Sequence, residues 1–395
     1  RQTTSRDFRG KVSLEPYSGF KIDLNWTYNY SELYTELFKV DRMGEFQHLG
    51  PNKVGSYSVS YLPIRTAFDV IDTMTNLSET YQQYEANRAI ISQRLGKDNL
   101  PATGTFYSPK DSTFLDDYVR GYGPYQQDVV LYSFLAAYNG IDANNMSLTK
   151  IFNQIPLPNW SISYNGLSKL KAFQKIFTSF NLTHRYNSTF TVNNFSNEQR
   201  YEGRVYDINP QLIAPYVLDT VSGNFYSLFR IPDIQISEQF APLIGVDMTF
   251  TNNFTTRVEY RKTRSLGLSM GIDFQLNETK SQEFVIGAGY QITGLVLPFK
   301  GKSGENIVLE NDLTFQLDFS ISDNITAVYG ADQAFSQPVT GTKTIRLSPT
   351  IDYVVNERIR LTAYYDRTTT IPYTSQSYPT TNTKGGIRVS FSLAQ

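Results

Sequence analysis

The sequence predicts an all-β protein: an antiparallel transmembrane β-barrel carrying a mostly helical insert. Three observations predict it. Apolar and polar residues alternate along runs of about ten residues, the length a tilted strand needs to cross a hydrocarbon core. Tyr and Phe crowd the ends of those runs, as at Tyr28, Tyr30, Tyr186, Phe190, Tyr260, Tyr290, Tyr329 and Tyr365, where amphipathic rings would form an interfacial girdle. The connections between runs alternate in length.

In the segment 20–30, Phe20, Ile22, Leu24, Trp26, Tyr28 and Tyr30 are interleaved with Lys21, Asp23, Asn25, Thr27 and Asn29. The segment 265–275 repeats the pattern through Leu266, Leu268, Met270, Ile272 and Phe274, and 313–322 through Leu313, Phe315, Leu317, Phe319 and Ile321. Ile345, Leu347, Pro349, Ile351, Tyr353 and Val355 form another set, and Ile387, Val389, Phe391 and Leu393 close the chain. Each reads as a strand with one apolar and one wet face. Read backward from the C-terminus, Asn356-Glu357, Ser322-Asp323-Asn324, Asn277-Glu278-Thr279 and Thr251-Asn252-Asn253 are the expected short turns. Residues 368–383, 332–342 and 293–311 are the long loops, and Lys262-Thr263-Arg264 is a short turn on the long-loop side. Short turns on one side and long loops on the other are the asymmetry of outer-membrane barrels, which puts the C-terminus and short turns in the periplasm. The spacing yields roughly 14 to 16 strands.

The domain division is 1–63, strands; 64–156, a helical, cap-like insert; and 157–395, strands to the C-terminal closing strand. Within 64–96 the positions Ile64, Phe68, Ile71, Met74, Leu77, Tyr81 and Tyr84 recur every three or four residues, a helical stripe. A second helix starts near Pro124 and ends at Asn139-Gly140, around Val129, Val130 and Leu135. An insert of this length is too long for a hairpin loop; it is expected to be an ordered cap or an inward-folded domain. A short helix is expected over 167–177, between a strand at 160–164 and a long one at 180–192.

Composition narrows the chemistry. The 395 residues include 28 Tyr, 26 Phe and 2 Trp but no Cys and only 2 His, with a net charge of −1. Near-neutral charge gives no footprint for a polyanion, so nucleic acid is disfavoured. Without Cys there is no thiol catalysis, disulfide or Cys-ligated metal. His48 sits in a Gly/Pro-bearing loop and His184 interrupts the apolar set Phe180, Leu182, Tyr186, so no His-pair metal motif or His-dependent triad can be read. No catalytic, cofactor or metal residues are assigned, and the chain is read as no enzyme. A mean hydropathy of −0.35 is compatible with a barrel, whose strands expose only alternate residues to lipid. The chain opens Arg1-Gln2-Thr3, without Met or signal peptide, so either a signal has been removed or the chain is a piece of something longer.

The candidate lumen-facing residues are Asp23, Arg185, Asp273, Asp318, Arg346, Asp352, Arg358, Arg360 and Asp366, mixed in sign, giving a wetted wall without a strong ion filter. In the last strand, Lys384, Gly386, Val389 and Phe391 fit polar-x-Gly-x-x-apolar-x-aromatic, which resembles the assembly signal of bacterial outer-membrane barrels, four residues short of the end.

Two stretches carry a more specific likeness. One is Leu157-Pro158-Asn159-Trp160-Ser161-Ile162-Ser163-Tyr164-Asn165-Gly166-Leu167-Ser168-Lys169. The other runs from Arg360-Leu361-Thr362-Ala363-Tyr364-Tyr365-Asp366-Arg367-Thr368, through Ser377-Tyr378-Pro379-Thr380, to Gly386-Ile387-Arg388-Val389-Ser390-Phe391-Ser392-Leu393. Both resemble the C-terminal part of the gliding motility protein SprA (Sov) family, the outer-membrane translocon of the type IX secretion system. The resemblance implies a very large single-chain barrel exporting folded cargo proteins that carry C-terminal signals, surface adhesins for gliding among them. The implied partners are outer-membrane lipid, the rest of a longer chain, a smaller outer-membrane barrel at a lateral opening, and a periplasmic plug protein. The insert is then a candidate for a cap or a partner contact. Three rivals stand beside this reading: a self-contained porin or nutrient transporter of about 16 strands, an outer-membrane barrel enzyme, and a soluble β-rich adhesin. Which cargo passes, what powers it, how the pore opens and where the insert sits relative to it are not written in the sequence.

Overall fold

The computed structural model describes residues 1–72, 75–97, 99, 102–148, 151–152, 154–201, 203–206, 209–271, 274–300, 306–308, 311–330, 340–356, 358–373 and 377–391. In chain order the strands are β1 (Gln2–Tyr17), β2 (Phe20–Val40), β3 (Phe46–Ser60), β4 (Thr105–Ser108), β5 (Thr113–Val119), β6 (Asn159–Tyr164), β7 (Phe177–Asn197), β8 (Gly203–Tyr206), β9 (Asn209–Pro215), β10 (Phe229–Phe250), β11 (Phe254–Met270), β12 (Phe274–Ile292), β13 (Val296–Lys300), β14 (Asn306–Val308), β15 (Leu313–Gly330), β16 (Thr340–Asn356), β17 (Ile359–Pro372) and β18 (Thr380–Phe391). Twelve of them form one antiparallel sheet in the order β1-β2-β3-β7-β10-β11-β12-β15-β16-β17-β18, with β6 between β2 and β7. The small pairs β4–β5, β8–β9 and β13–β14 sit in connections. The fold is therefore an all-β, antiparallel, barrel-like wall with a small helical insert. β1 pairs only with β2 and β18 only with β17, so both outer edges are unpaired among the described residues.

β3 and β6 share one column of the sheet. Val59 of β3 lies between Tyr28 and Phe190, and Trp160 of β6 lies between Leu24 and Tyr186. Residues 61–158 are thus spliced into the middle of a strand. Leu157 N–H donates to Ser60 O at 3.0 Å, and Ser188 N–H donates to the Asn159 side chain at 2.7 Å, closing the backbone accounts across the cut.

The insert contains α1 (Glu79–Lys97) and α2 (Gln127–Tyr138). The Ser78 hydroxyl caps α1 by accepting from Tyr81 N–H at 3.1 Å. α2 is capped by Gln126, whose side chain accepts from the N–H groups of Asp128 and Val129, and it ends before Gly140 at φ +61°. Every residue from 129 to 138 in α2 is buried, whereas α1 buries one stripe including Tyr81, Tyr84 and Ile91. These helices share one core with Tyr57, Val59, Phe190, Val192, Ile234, Ile236, Leu266, Leu268, Leu276, Ala327 and Tyr329 of the sheet. Tyr81 stacks on Tyr329 with centroids 3.8 Å apart. The connection 198–228 clamps the insert from above: Gly123 N–H donates to Asn224, and Gln126 donates to Ser227 and to Phe225 O.

The strands depart from the sequence expectation in length and number. The long sheet strands run from 12 to 22 residues, longer than a hydrocarbon core demands, and against roughly 14 to 16 expected the described residues form 18 strands, twelve of them in the sheet. Ser322-Asp323-Asn324, Asn277-Glu278-Thr279 and Lys262-Thr263-Arg264 are not turns but lie within β15, β12 and β11. Conversely, 265–275 is two strands, since β11 stops at Met270 and β12 starts at Phe274. Thr251-Asn252-Asn253 is a turn, with Asn253 at φ +62°.

The helical stripe at 64–96 is helical only in its second half. Residues Ile64–Thr66 make a single 3-10 turn, Ile71 bridges Ser78, and Asn76 adopts φ +58°. Asp69 takes the Thr80 N–H and Ser78 takes the Tyr81 N–H, so short polar side chains divert the backbone from an earlier helix start. Met74 lies outside the described residues. At 167–177 there is a 3-10 turn, Gly166–Lys169, and the one-turn α3 (Lys171–Gln174). His48 falls within β3 rather than a loop.

Candidate functional site: the two faces of the wall

The register fixes which residues share a face, because a strand alternates sides at every residue. Asp318 sits opposite Ser348, Ser320 opposite Arg346, Asp352 opposite Thr362 and Asp366 opposite Lys384, so these lie on one side of the sheet. Asp23, Arg185 and Arg360 fall on the same side by the same count. Arg346 and Asp366 form an ion pair at 2.9 Å; Asp352 accepts from the Thr362 hydroxyl and Asp23 from that of Ser13. Seven of the nine expected lumen residues therefore occupy one polar face. Arg358 is in the turn between β16 and β17 instead, where its N–H donates to Asn356, and Asp273 lies outside the described residues.

This polar face also carries an ion network not anticipated from sequence. Arg257 contacts Asp247 at 2.8 Å and Glu259 at 3.4 Å, while Arg261 pairs with Glu259 and, at 3.2 Å, with Glu283. Elsewhere the lining is Ser, Thr and Asn: Ser56 and Ser58 on β3, Ser161 and Ser163 on β6, and Asn187, Thr189, Thr191 and Asn193 on β7. Gly287 and Gly289 leave a shallow trough of about 440 Å³ beside Arg257, Thr255 and Asp318. Lys384 and Gly386 of the last strand are on this face, and Val389 and Phe391 on the opposite one.

The opposite face has three levels. The first is an apolar band that crosses the columns: Leu14 and Val12 on β1, Ile22 and Leu24 on β2, Ile162 on β6, Leu182 on β7, Val246 and Met248 on β10, Val258 and Tyr260 on β11, Phe284, Ile286 and Tyr290 on β12, Phe315 to Ile321 on β15, Ile345 to Ile351 on β16, Leu361 and Ala363 on β17, and Ile387 on β18. It is uncovered: Ile244, Phe284, Phe315, Ile351 and Ile387 are all exposed. The second is a polar rim along one row of the register, Phe240–Lys262–Gln282–Asp323–Lys343. The third, beyond the rim, is the apolar surface covered by the insert. The insert thus stands on the apolar face, not on the polar one.

Charges are buried where the insert meets the rim. Arg264 pairs with Glu238 at 2.9 Å with both side chains 1% exposed, and donates to Thr66 O at 2.7 Å and Pro63 O at 3.1 Å. Tyr186 donates to the other Glu238 oxygen at 2.7 Å. Lys280 pairs with Glu278 at 3.0 Å and donates to Asp69 O at 2.8 Å; Ser78 and Tyr138 both donate to Glu278. In the insert, burial would raise the Asp69 carboxyl, but donation from Thr80 and the Lys280 charge outweigh it and hold Asp69 below the usual carboxylate range. Burial pushes the Tyr61 hydroxyl up to about 12.

Sequence reasoning missed this seam and read two of its pieces as turns. The legible signal was phase: Val258 and Tyr260 before Lys262 and Arg264, and Leu266 and Leu268 after them, keep the same parity, as a strand crossing a polar belt does. His184 packs on the apolar face between Trp160 and Phe240, its Nδ1 2.6 Å from Leu243 O. Among the described residues no cluster of His, Asp or Glu is placed to hold a metal ion. No protein-family model and no curated protein matches the chain.

Proposed function

We propose that this chain is part of the wall of a protein-conducting pore in the bacterial outer membrane: the C-terminal segment of a type IX-class translocon that exports folded cargo proteins to the cell surface. The observation that carries the reading is an amphipathic wall with two open edges. Its apolar band matches a bilayer in height: nine residues of β15, from Leu313 to Ile321, at about 3.3 Å each and tilted by about 40°, rise roughly 23 Å. An unpaired strand edge in hydrocarbon leaves a row of backbone groups without partners, at several kcal/mol each. The band reaches both β1 and β18, so in a membrane both edges must be paired, and in this reading further strands continue them into a wide barrel. A polar face rich in hydroxyls and mixed in charge lets bulky hydrated cargo pass without adsorbing it or filtering it by charge. Transport of this kind asks no covalent chemistry of the wall. In this reading the end of the wall that carries the C-terminal end of β18, the turn at 251–253 and the longer connection 293–312 faces the periplasm, where a plug protein and a smaller partner barrel would engage the pore; the expected division into a short-turn and a long-loop side is not kept, because 293–312 emerges beside the short turns. Because the insert shares the apolar face, it lies outside the lumen, against the upper wall, and does not cross the channel.

The test is the size and heat-modifiability of the native polypeptide in detergent-extracted outer membranes, followed with an antibody to residues 377–391. A band several times larger than 45.0 kDa is expected. A heat-modifiable band near 45.0 kDa would mean that β1 and β18 close on each other, and the protein would be a porin-like transporter.

A further inference from the structure

We propose that the underside of the insert, the turn at 62–70, is a second membrane contact that lays Phe68 and Val70 on the lipid surface, with Lys262 beneath them holding a lipid phosphate. The inference rests on the reading that the apolar band faces lipid, and adds to it a specific lipid seat.

Four observations converge on this turn. The first is placement: Arg264 and Lys280 bind the carbonyls of Pro63, Thr66 and Asp69, which pins the turn directly above the rim row that ends the apolar band. The second is continuity. Leu62, Ile64 and Ala67 of the turn pack with Tyr186, Phe240, Trp160 and Leu243 of the wall, so the apolar surface of the band runs onto the insert without a polar break at this column. The third is exposure. Phe68 is 51% and Val70 72% exposed, whereas Ala67 and Ile71 beside them in the chain are buried. Phe68 lies against Phe240 with ring centroids 5.5 Å apart, so it is held in place and turned outward. The fourth is charge. The Lys262 ammonium sits 4.6 Å from the Phe68 ring centroid and makes no ion pair among the described residues, whereas its neighbours Arg264 and Lys280 are both paired to carboxylates. An ammonium at the top of an apolar band, beside an exposed aromatic ring, is the arrangement that receives an anionic headgroup while the acyl chains lie along the band. The occupant is therefore a membrane lipid with a phosphate headgroup rather than a protein, for which the patch is too small.

These 395 residues contain no cysteine, so once any thiol elsewhere in the longer polypeptide is replaced by serine, a single introduced thiol can be labelled without background. The full polypeptide carrying Val70→Cys, Phe315→Cys or Thr113→Cys, each with an environment-sensitive fluorophore, is reconstituted in phosphatidylethanolamine/phosphatidylglycerol vesicles and challenged with brominated acyl chains or aqueous iodide. The label at 315 should be quenched by bromine and that at 113 by iodide. The label at 70 should be quenched by bromine attached near the headgroup, and Lys262→Glu should reduce that quenching in these anionic vesicles while leaving the label at 315 unchanged. Quenching of position 70 by iodide alone, with 315 still in lipid, overturns the inference and leaves the membrane wall standing. Iodide quenching at both positions overturns the wall and the inference together. If quenching at 70 is strong but indifferent to Lys262→Glu, the phosphate seat is wrong.

Discussion

Arg264 is the residue on which the seam depends. It holds Glu238 at 2.9 Å in a place where both are almost wholly excluded from water, and its two terminal nitrogens also donate to two carbonyls of the insert. Removing one member of such a pair leaves a charge buried without compensation, a loss of about 3–5 kcal/mol, whereas replacing both members with apolar residues is often neutral. Arg264→Met is thus expected to loosen the insert strongly, and Glu238→Leu combined with Arg264→Met to recover much of the loss; hydrogen exchange in α1 and α2 reads both. Asp69 makes the same seam sensitive to acid. Its folded pKa is depressed below the unfolded value, so its contribution is complete above the ordinary carboxylate pKa of about 4 and is lost as pH falls through the depressed value. Protection of the Thr80 amide should fall with acidification in the native chain. In Asp69→Asn it should be weaker at neutral pH and should lack that acid-dependent step.

At the scale of the element, a strand interrupted at mid-height is the most informative feature. β3 gives up its place at Ser60 and β6 takes the column back at Asn159, so the insert is anchored at two adjacent points of the sheet and needs few further restraints. One of those is the contact of the 198–228 connection with the insert at Gly121. Gly121 has φ +80°, and a Cβ there would lie 2.2 Å from the Phe225 ring. Gly121→Ala should therefore cost on the order of 1–3 kcal/mol through both backbone strain and overpacking. The expected readout is faster proteolysis between 215 and 228, with the sheet strands still protected. α2 was readable from Pro124 and Asn139-Gly140 because caps are local. The first half of the 64–96 stripe misled because its period also suits a coil whose Asp69 and Ser78 compete for the helix amides.

For the whole molecule, the decisive property is that the faces stay in phase across the sheet. Phase makes a test possible along one strand. Gln316→Cys and Asp318→Cys should react with a membrane-impermeant maleimide in intact membranes, while Leu317→Cys and Phe319→Cys should react only after detergent. Equal reactivity at all four positions would mean that neither face of β15 meets lipid.

The sequence by itself determined that the chain is built of alternating strands and which residues share a face, because period two is a local property that survives any arrangement of the strands. It placed Asp23, Arg185, Asp318, Arg346, Asp352, Arg360 and Asp366 together without knowing a single neighbour. Only the tertiary structure decided where strands end, because a polar belt inside a strand and a polar turn between strands have the same composition. Only it decided that the apolar face is divided into an uncovered band and a covered upper part. Leu266 and Val258 are equally apolar and equally spaced, and what separates them is the helical insert that returns to the sheet from far along the chain and packs on one and not the other.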